Sequence, residues 1–219
     1  MSTREWLSSR PTALFNELVA WLLKAAPDPA PPVLKMLTVE AYIKWAVADN
    51  FVETGTHEGI TTGFMAPLVK RAISIELAPQ YHEKAKLFLA EYPNIELHLG
   101  DSADLMPSIV ASLQGVSVYW LDGHYSGGQT ALGHRVSPLL EEIVAIFTHG
   151  EDNAVILIDD VRLFDGVEYP GLDTIHQIAD YYWPGAQIEV LHDILRVVPA
   201  KLAPMISAAR AASEMSSFI

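Results

Sequence analysis

The chain of 219 residues contains no cysteine, so neither a disulfide framework nor a thiolate metal site can be built from it. That lack is compatible with a cytoplasmic protein, the location expected here. Basic residues are scarce: 14 Lys and Arg stand against 27 Asp and Glu, for a formal net charge of −13. A sequence-independent nucleic-acid binder needs a basic surface to neutralise phosphates, so no nucleic-acid partner is expected, and small molecules are the better-suited ligands. Long apolar runs are missing too. The apolar stretch at residues 14–23 is interrupted by Asn16 and Glu17, and no small-residue cleavage site clearly follows, so neither a signal peptide nor a membrane span is expected. There are no internal repeats.

Half of the residues are hydrophobic and 19% are charged, the balance of a globular chain able to bury a large core. Leu14, Leu18 and Leu22 recur at helical spacing and predict an amphipathic helix, packed on the domain or else facing a membrane surface or a partner. A proline-rich connector at 27–32 separates it from a second helix over 33–48. Strands are predicted at 51–55, 72–77, 95–100, 116–122 and 154–160. Helices are predicted at 60–70, 79–91, 103–113, 138–147 and 172–182, with Ser137-Pro138 opening the fourth of these. Alternating strands and helices imply a doubly wound, Rossmann-like α/β fold with a mostly parallel sheet of about seven strands. The last two strand-like runs, 187–191 and 194–198, are joined by two residues only, so they form a hairpin and one of them runs antiparallel. This organisation divides the chain into a helical extension (1–50), a ligand-binding domain (51–200) and a tail (201–219).

In such sheets ligands bind beyond the C-terminal strand ends. There stand Glu53-Thr-Gly55-Thr56-His57-Glu-Gly59, with Thr61 opening the next helix; then Glu76; then Asp101-Ser102; then Asp122-Gly-His124; then Asp159-Asp160. An acid at the second strand end can accept hydrogen bonds from both hydroxyls of a ribose. A dinucleotide would also want a glycine turn followed by an acid, but this turn lacks the G-x-G-x-x-G spacing.

In order and kind, these residues resemble class I S-adenosylmethionine (SAM)-dependent methyltransferases, over roughly residues 33–199. The resemblance implies that Glu53, Gly55, Thr56, His57, Gly59, Thr61, Glu76, Asp101, Ser102 and Asp122 form the cofactor site. Glu76 would hold the ribose, and Asp101 with Ser102 the adenine side. His57 departs from the pattern, standing where many members carry a middle glycine.

Asp122, Asp159 and Asp160 form the second constellation. Three converging carboxylates repel unless a cation sits among them, and oxygen-only ligands favour a hard ion, Mg²⁺ most simply. Both Asp159 and Asp160 can ligate it only if their strand has already ended, because adjacent strand residues face opposite ways. The pairing is similar to the metal-dependent O-methyltransferases acting on catechols and on antibiotic sugars. That similarity implies O-methylation of a small hydroxylated substrate such as a sugar, with Asp122 shared between metal and catalysis. His124 would be the general base, its imidazole pKa lying near neutrality; a histidine that only binds substrate or pairs with an Asp is the other reading. Arg162 either binds an anion or neutralises the acids. An NAD(P)-dependent oxidoreductase and a non-catalytic SAM-binding subunit stay open as alternatives, and so does assembly as a homodimer.

Overall fold

The structure, a computed structural model, describes residues 11–123 and 137–216. Two helices come first, α1 (Pro11–Leu23) and α2 (Pro32–Ala46). There follow β1 (Asn50–Thr54), α3 (Ile60–Met65), β2 (Arg71–Glu76), α4 (Pro79–Phe88), β3 (Ile95–Leu99), α5 (Ser102–Ser112) and β4 (Ser117–Leu121). Then come α6 (Leu139–His149), β5 (Ala154–Ile158), α7 (Leu172–Tyr182), β6 (Gln187–Leu191), β7 (Ile194–Val198) and α8 (Ala203–Ser216).

One seven-stranded sheet carries these helices, in the order β3-β2-β1-β4-β5-β7-β6. β1 to β5 pair in parallel, and β7 lies antiparallel between β5 and β6. This is the mixed Rossmann-like sheet expected from the alternating pattern, and the hairpin forms as the two-residue gap requires. The order reverses between β1 and β4, which opens the crevice where such sheets bind ligands.

The central strands are buried on both faces, which is why they read as apolar runs. Side chains alternate along them. Val52, Tyr119, Leu121, Ile156 and Ile158 face one core with α5, α6 and α7, while Phe51, Val118, Trp120, Val155 and Leu157 face the other. Into this second core α2 sends Val39, Tyr42, Ile43 and Ala46, and α8 sends Ala203 and Ile206. Truncating a fully buried aromatic such as Phe51 or Tyr119 to Ala would cost about 3–5 kcal/mol.

Several boundaries differ from expectation. α3 stops at Met65 rather than residue 70, because Pro67 cannot continue an α-helix and the next three residues form a 3₁₀ turn. α4 ends at Phe88, not 91. α6 starts at Leu139, with Ser137 Oγ accepting the Leu139 N–H at 3.3 Å, so Ser137 caps from one residue further out. Within the tail (201–219), residues Ala203–Ser216 form the helix α8, and Trp45 Nε1 of α2 donates to its Ser213 Oγ at 3.1 Å. His192 sits in the β6–β7 turn with its ring edge-on to Trp21, 5.1 Å between centroids.

Candidate functional site

β1 leads directly into the glycine turn. Gly55 has φ +83°, and a Cβ there would stand 2.4 Å from the Asp122 carbonyl oxygen. Only glycine lets the end of β1 pass this close to the end of β4. His57 also takes left-handed backbone, φ +49°, where the family pattern carries glycine. Its main-chain N–H donates to Glu76 Oε2 at 2.7 Å, and its ring packs on Tyr81 with centroids 4.3 Å apart. Those two contacts hold a conformation that a non-glycine residue otherwise disfavours.

Glu76 ends β2 and is buried. Besides the His57 N–H it accepts the Ala78 N–H on Oε1 at 2.8 Å, so one carboxylate ties the glycine turn to the start of α4. Each oxygen retains a second lone pair. Asp101 is the N-cap of α5, its Oδ1 accepting from Ala103 N at 3.0 Å, and Ser102 behind it is buried. Asp101 therefore has a folding role of its own at the position expected to face adenine.

Glu53 lies in β1, two residues before Gly55, and is buried. Its carboxylate accepts from Ser74 Oγ at 2.9 Å and from the hydroxyls of Thr62 and Thr61. Thr56 Oγ1 in turn meets Ser74 Oγ at 2.6 Å. Burial raises the Glu53 carboxyl from 4.5 to about 7, with the three hydroxyls pulling the other way. Sequence reasoning aimed this acid at a ligand; the structure surrounds it with hydroxyls. Ser74 and Thr62 were missed, although a buried Ser in a strand of apolar residues signals a polar partner.

β5 ends at Ile158, so Asp159 and Asp160 both lie past the strand, the condition for their carboxylates to converge. Asp160 is in left-handed backbone, φ +57°, which turns the chain after Asp159. One carboxylate oxygen from each of Asp122, Asp159 and Asp160 lies within 4.8 Å of the others. Asp159 is buried and Asp160 nearly so. Burial holds the Asp159 carboxyl above its ordinary range, with the Asp160 charge adding to this and Lys35 opposing it.

Lys35 is the residue the sequence did not reveal. From the first turn of α2 its Nζ reaches Asp159 Oδ2 at 2.6 Å and Asp160 Oδ1 at 3.1 Å. A lysine in a mostly apolar helix was the available signal, since such a charge needs a buried partner. Arg162 neutralises the acids instead of standing free. Its Nη1 donates to Asp160 Oδ1 at 2.7 Å and to Asp193 Oδ2, and its main-chain N–H donates to Asp193 Oδ1 at 2.8 Å. His124, the expected base, lies outside the described residues.

No protein-family model matches the chain, and no curated protein is similar enough to count as a match. Solved structures do match. The O-methyltransferase TomG of Streptomyces achromogenes, involved in tomaymycin synthesis and solved with SAM, has a TM-score of 0.55 and 18% identity, over 86% of this chain and 90% of its own. An O-methyltransferase of Bacillus cereus in complex with SAH gives a TM-score of 0.51 and 15% identity, over 89% and 96%. The SAH-bound methyltransferase PaMTH1 of Podospora anserina gives 0.55 and 12%, over 78% and 80%. The likeness is one of fold, and it is the fold that the strand-end residues resembled.

Proposed function

We propose that the chain is a SAM-dependent O-methyltransferase that acts, together with a divalent cation, on a small hydroxylated substrate with neighbouring oxygens, such as a sugar. The observation that carries this reading is the convergence of Asp122, Asp159 and Asp160 at the ends of β4 and β5, beside the glycine turn and Glu76. The fold shared with the SAM- and SAH-bound methyltransferases supports the choice of cofactor.

The residues suit both groups. Gly55 brings the turn against the end of β4 at Asp122, and Glu76 keeps one lone pair on each oxygen for a ribose hydroxyl. The triad offers carboxylate oxygens only, a donor set that suits Mg²⁺. When bound, SAM supplies an electrophilic methyl group and Mg²⁺ supplies Lewis acidity.

In this reading Glu76 fixes the ribose, Asp101 and Ser102 face the adenine, and Thr56, His57, Gly59 and Thr61 shape the turn. Glu53 keeps that turn in place through its hydroxyl partners. Asp122, Asp159 and Asp160 would hold the ion, whose Lewis acidity would act on the acceptor hydroxyl, and Arg162 keeps Asp160 oriented. His124, two residues past Asp122 in sequence, would take the proton from the acceptor hydroxyl. The protein supplies orientation and no covalent intermediate.

Calorimetric titration with SAH is the test of the cofactor, with micromolar binding expected and lost in Glu76→Ala. Saturable NAD binding with none of SAH would overturn the reading. Transfer of labelled methyl to vicinal-diol and catechol acceptors should fall at least about tenfold with EDTA, return with Mg²⁺ and be lost in Asp122→Ala and His124→Ala.

A further inference from the structure

Both oxygens of Asp159 already have partners. Oδ1 accepts the Asp160 main-chain N–H at 2.8 Å, and Oδ2 accepts Lys35 Nζ at 2.6 Å. Lys35 Nζ bridges onward to Asp160 Oδ1, 3.1 Å away, which also receives Arg162. An ammonium thus occupies the position from which a cation would contact Asp159 and Asp160 together. A Mg²⁺ ion needs its ligand oxygens at about 2.1 Å, so one bonded to the same two oxygens would claim the space that Nζ fills. Two cations there would also repel.

The lysine comes from an element with uneven anchorage. The second half of α2 is fixed by buried Val39, Tyr42, Ile43 and Ala46, whereas residues 32–38 include no fully buried side chain. Within that first half, the Lys35 bridge is the ionic link to the end of β5.

From this geometry we propose that Lys35 is an internal counter-cation of the acidic triad, which leaves its place when a divalent ion binds. Loading the triad thereby releases the first two turns of α2 from the sheet. The proposal rests on the metal reading above and adds a competitor to it. Lys35 is a positioning residue: it keeps Asp159 and Asp160 compensated and in register until the ion arrives.

The full chain, without SAM, is titrated with Mg²⁺ and with Mn²⁺ by calorimetry, in the wild type, Lys35→Met and Lys35→Arg. Lys35→Met keeps the apolar stem without the charge and should bind either ion about tenfold tighter or more, with Lys35→Arg close to wild type. In parallel, amide exchange across residues 32–38 of the wild type should accelerate on adding Mg²⁺, and in Lys35→Met should be fast with or without it. Tighter binding by Lys35→Met together with ion-accelerated exchange in the wild type supports the proposal, whereas binding by Lys35→Met alone would show that Lys35 blocks the ion without yielding to it and overturns the displacement. Equal affinity in wild type and Lys35→Met, with exchange unmoved by the ion, overturns the competition and leaves the metal reading standing. Absence of binding in all three proteins overturns both. If Lys35→Met does not fold, the exchange response of the wild type decides.

Discussion

Glu53→Gln isolates the ionisation of one buried carboxyl. Glu53 is only 2% exposed, and its pKa is raised from 4.5 to about 7, first by burial. An acid whose folded pKa is raised favours the folded state while protonated. Its contribution is therefore full below pH 4.5, declines as pH rises, and is gone above about 7. The gap corresponds to about 3 kcal/mol between the two ends. Glutamine keeps the shape and an acceptor oxygen for Thr62 and Ser74, and it stays neutral at every pH. Any cost of its misplaced amide N–H does not vary with pH, so the informative quantity is the slope of the difference between the two proteins. Relative to wild type, Glu53→Gln should gain about 3 kcal/mol between pH 4.5 and pH 8. At this chain length that is about 6–12 °C in melting temperature. Parallel thermal and urea unfolding at pH 4.5, 6, 7 and 8 measures it, and titrations common to both proteins cancel. A difference that stays flat across this range, or that grows in favour of the wild type at high pH, would refute the account of Glu53 as an acid held neutral by burial.

Two further substitutions probe the backbone of the site. Gly55→Ala forces a Cβ against the Asp122 carbonyl from a φ of +83°, and should cost about 2–4 kcal/mol in urea unfolding and abolish SAH binding. Asp101→Ala removes the α5 cap and should cost about 1 kcal/mol, whereas Asp101→Asn, which can still accept the Ala103 N–H, should stay near wild type in the same assay.

The parts of this architecture that follow from local pattern were legible in the chain. Apolar runs such as 155–158 declare a strand buried on both sides, and the two-residue gap at His192-Asp193 leaves no geometry but a hairpin. The acids after those runs were legible for the same reason, since a strand's end is visible where its apolar run stops. What stayed hidden depends on distant pairing. Lys35 meets Asp159 across 124 positions, and nothing near either residue marks the other. Asp193 holds Arg162 from the hairpin turn in the same way. Glu53 shows a different failure. Its place just before a glycine turn suggests a ligand contact, yet the hydroxyls that surround it come from α3 and β2, so its environment follows from the packing of three elements rather than from the motif.

The insertion of β7 between β5 and β6 has a consequence for how the molecule is made. The glycine turn, Glu76 and Asp101 lie within residues 50–102, on strands paired with near neighbours in sequence. The other half of the crevice closes late. β5 gains its outer partner only when residues 194–198 have left the ribosome, and Asp193 arrives with them to fix Arg162. Contacts of such long sequence separation are slow to form, and a domain generally folds as a unit. Until the hairpin docks, β5 is an open sheet edge and Arg162 lacks its Asp193 partner.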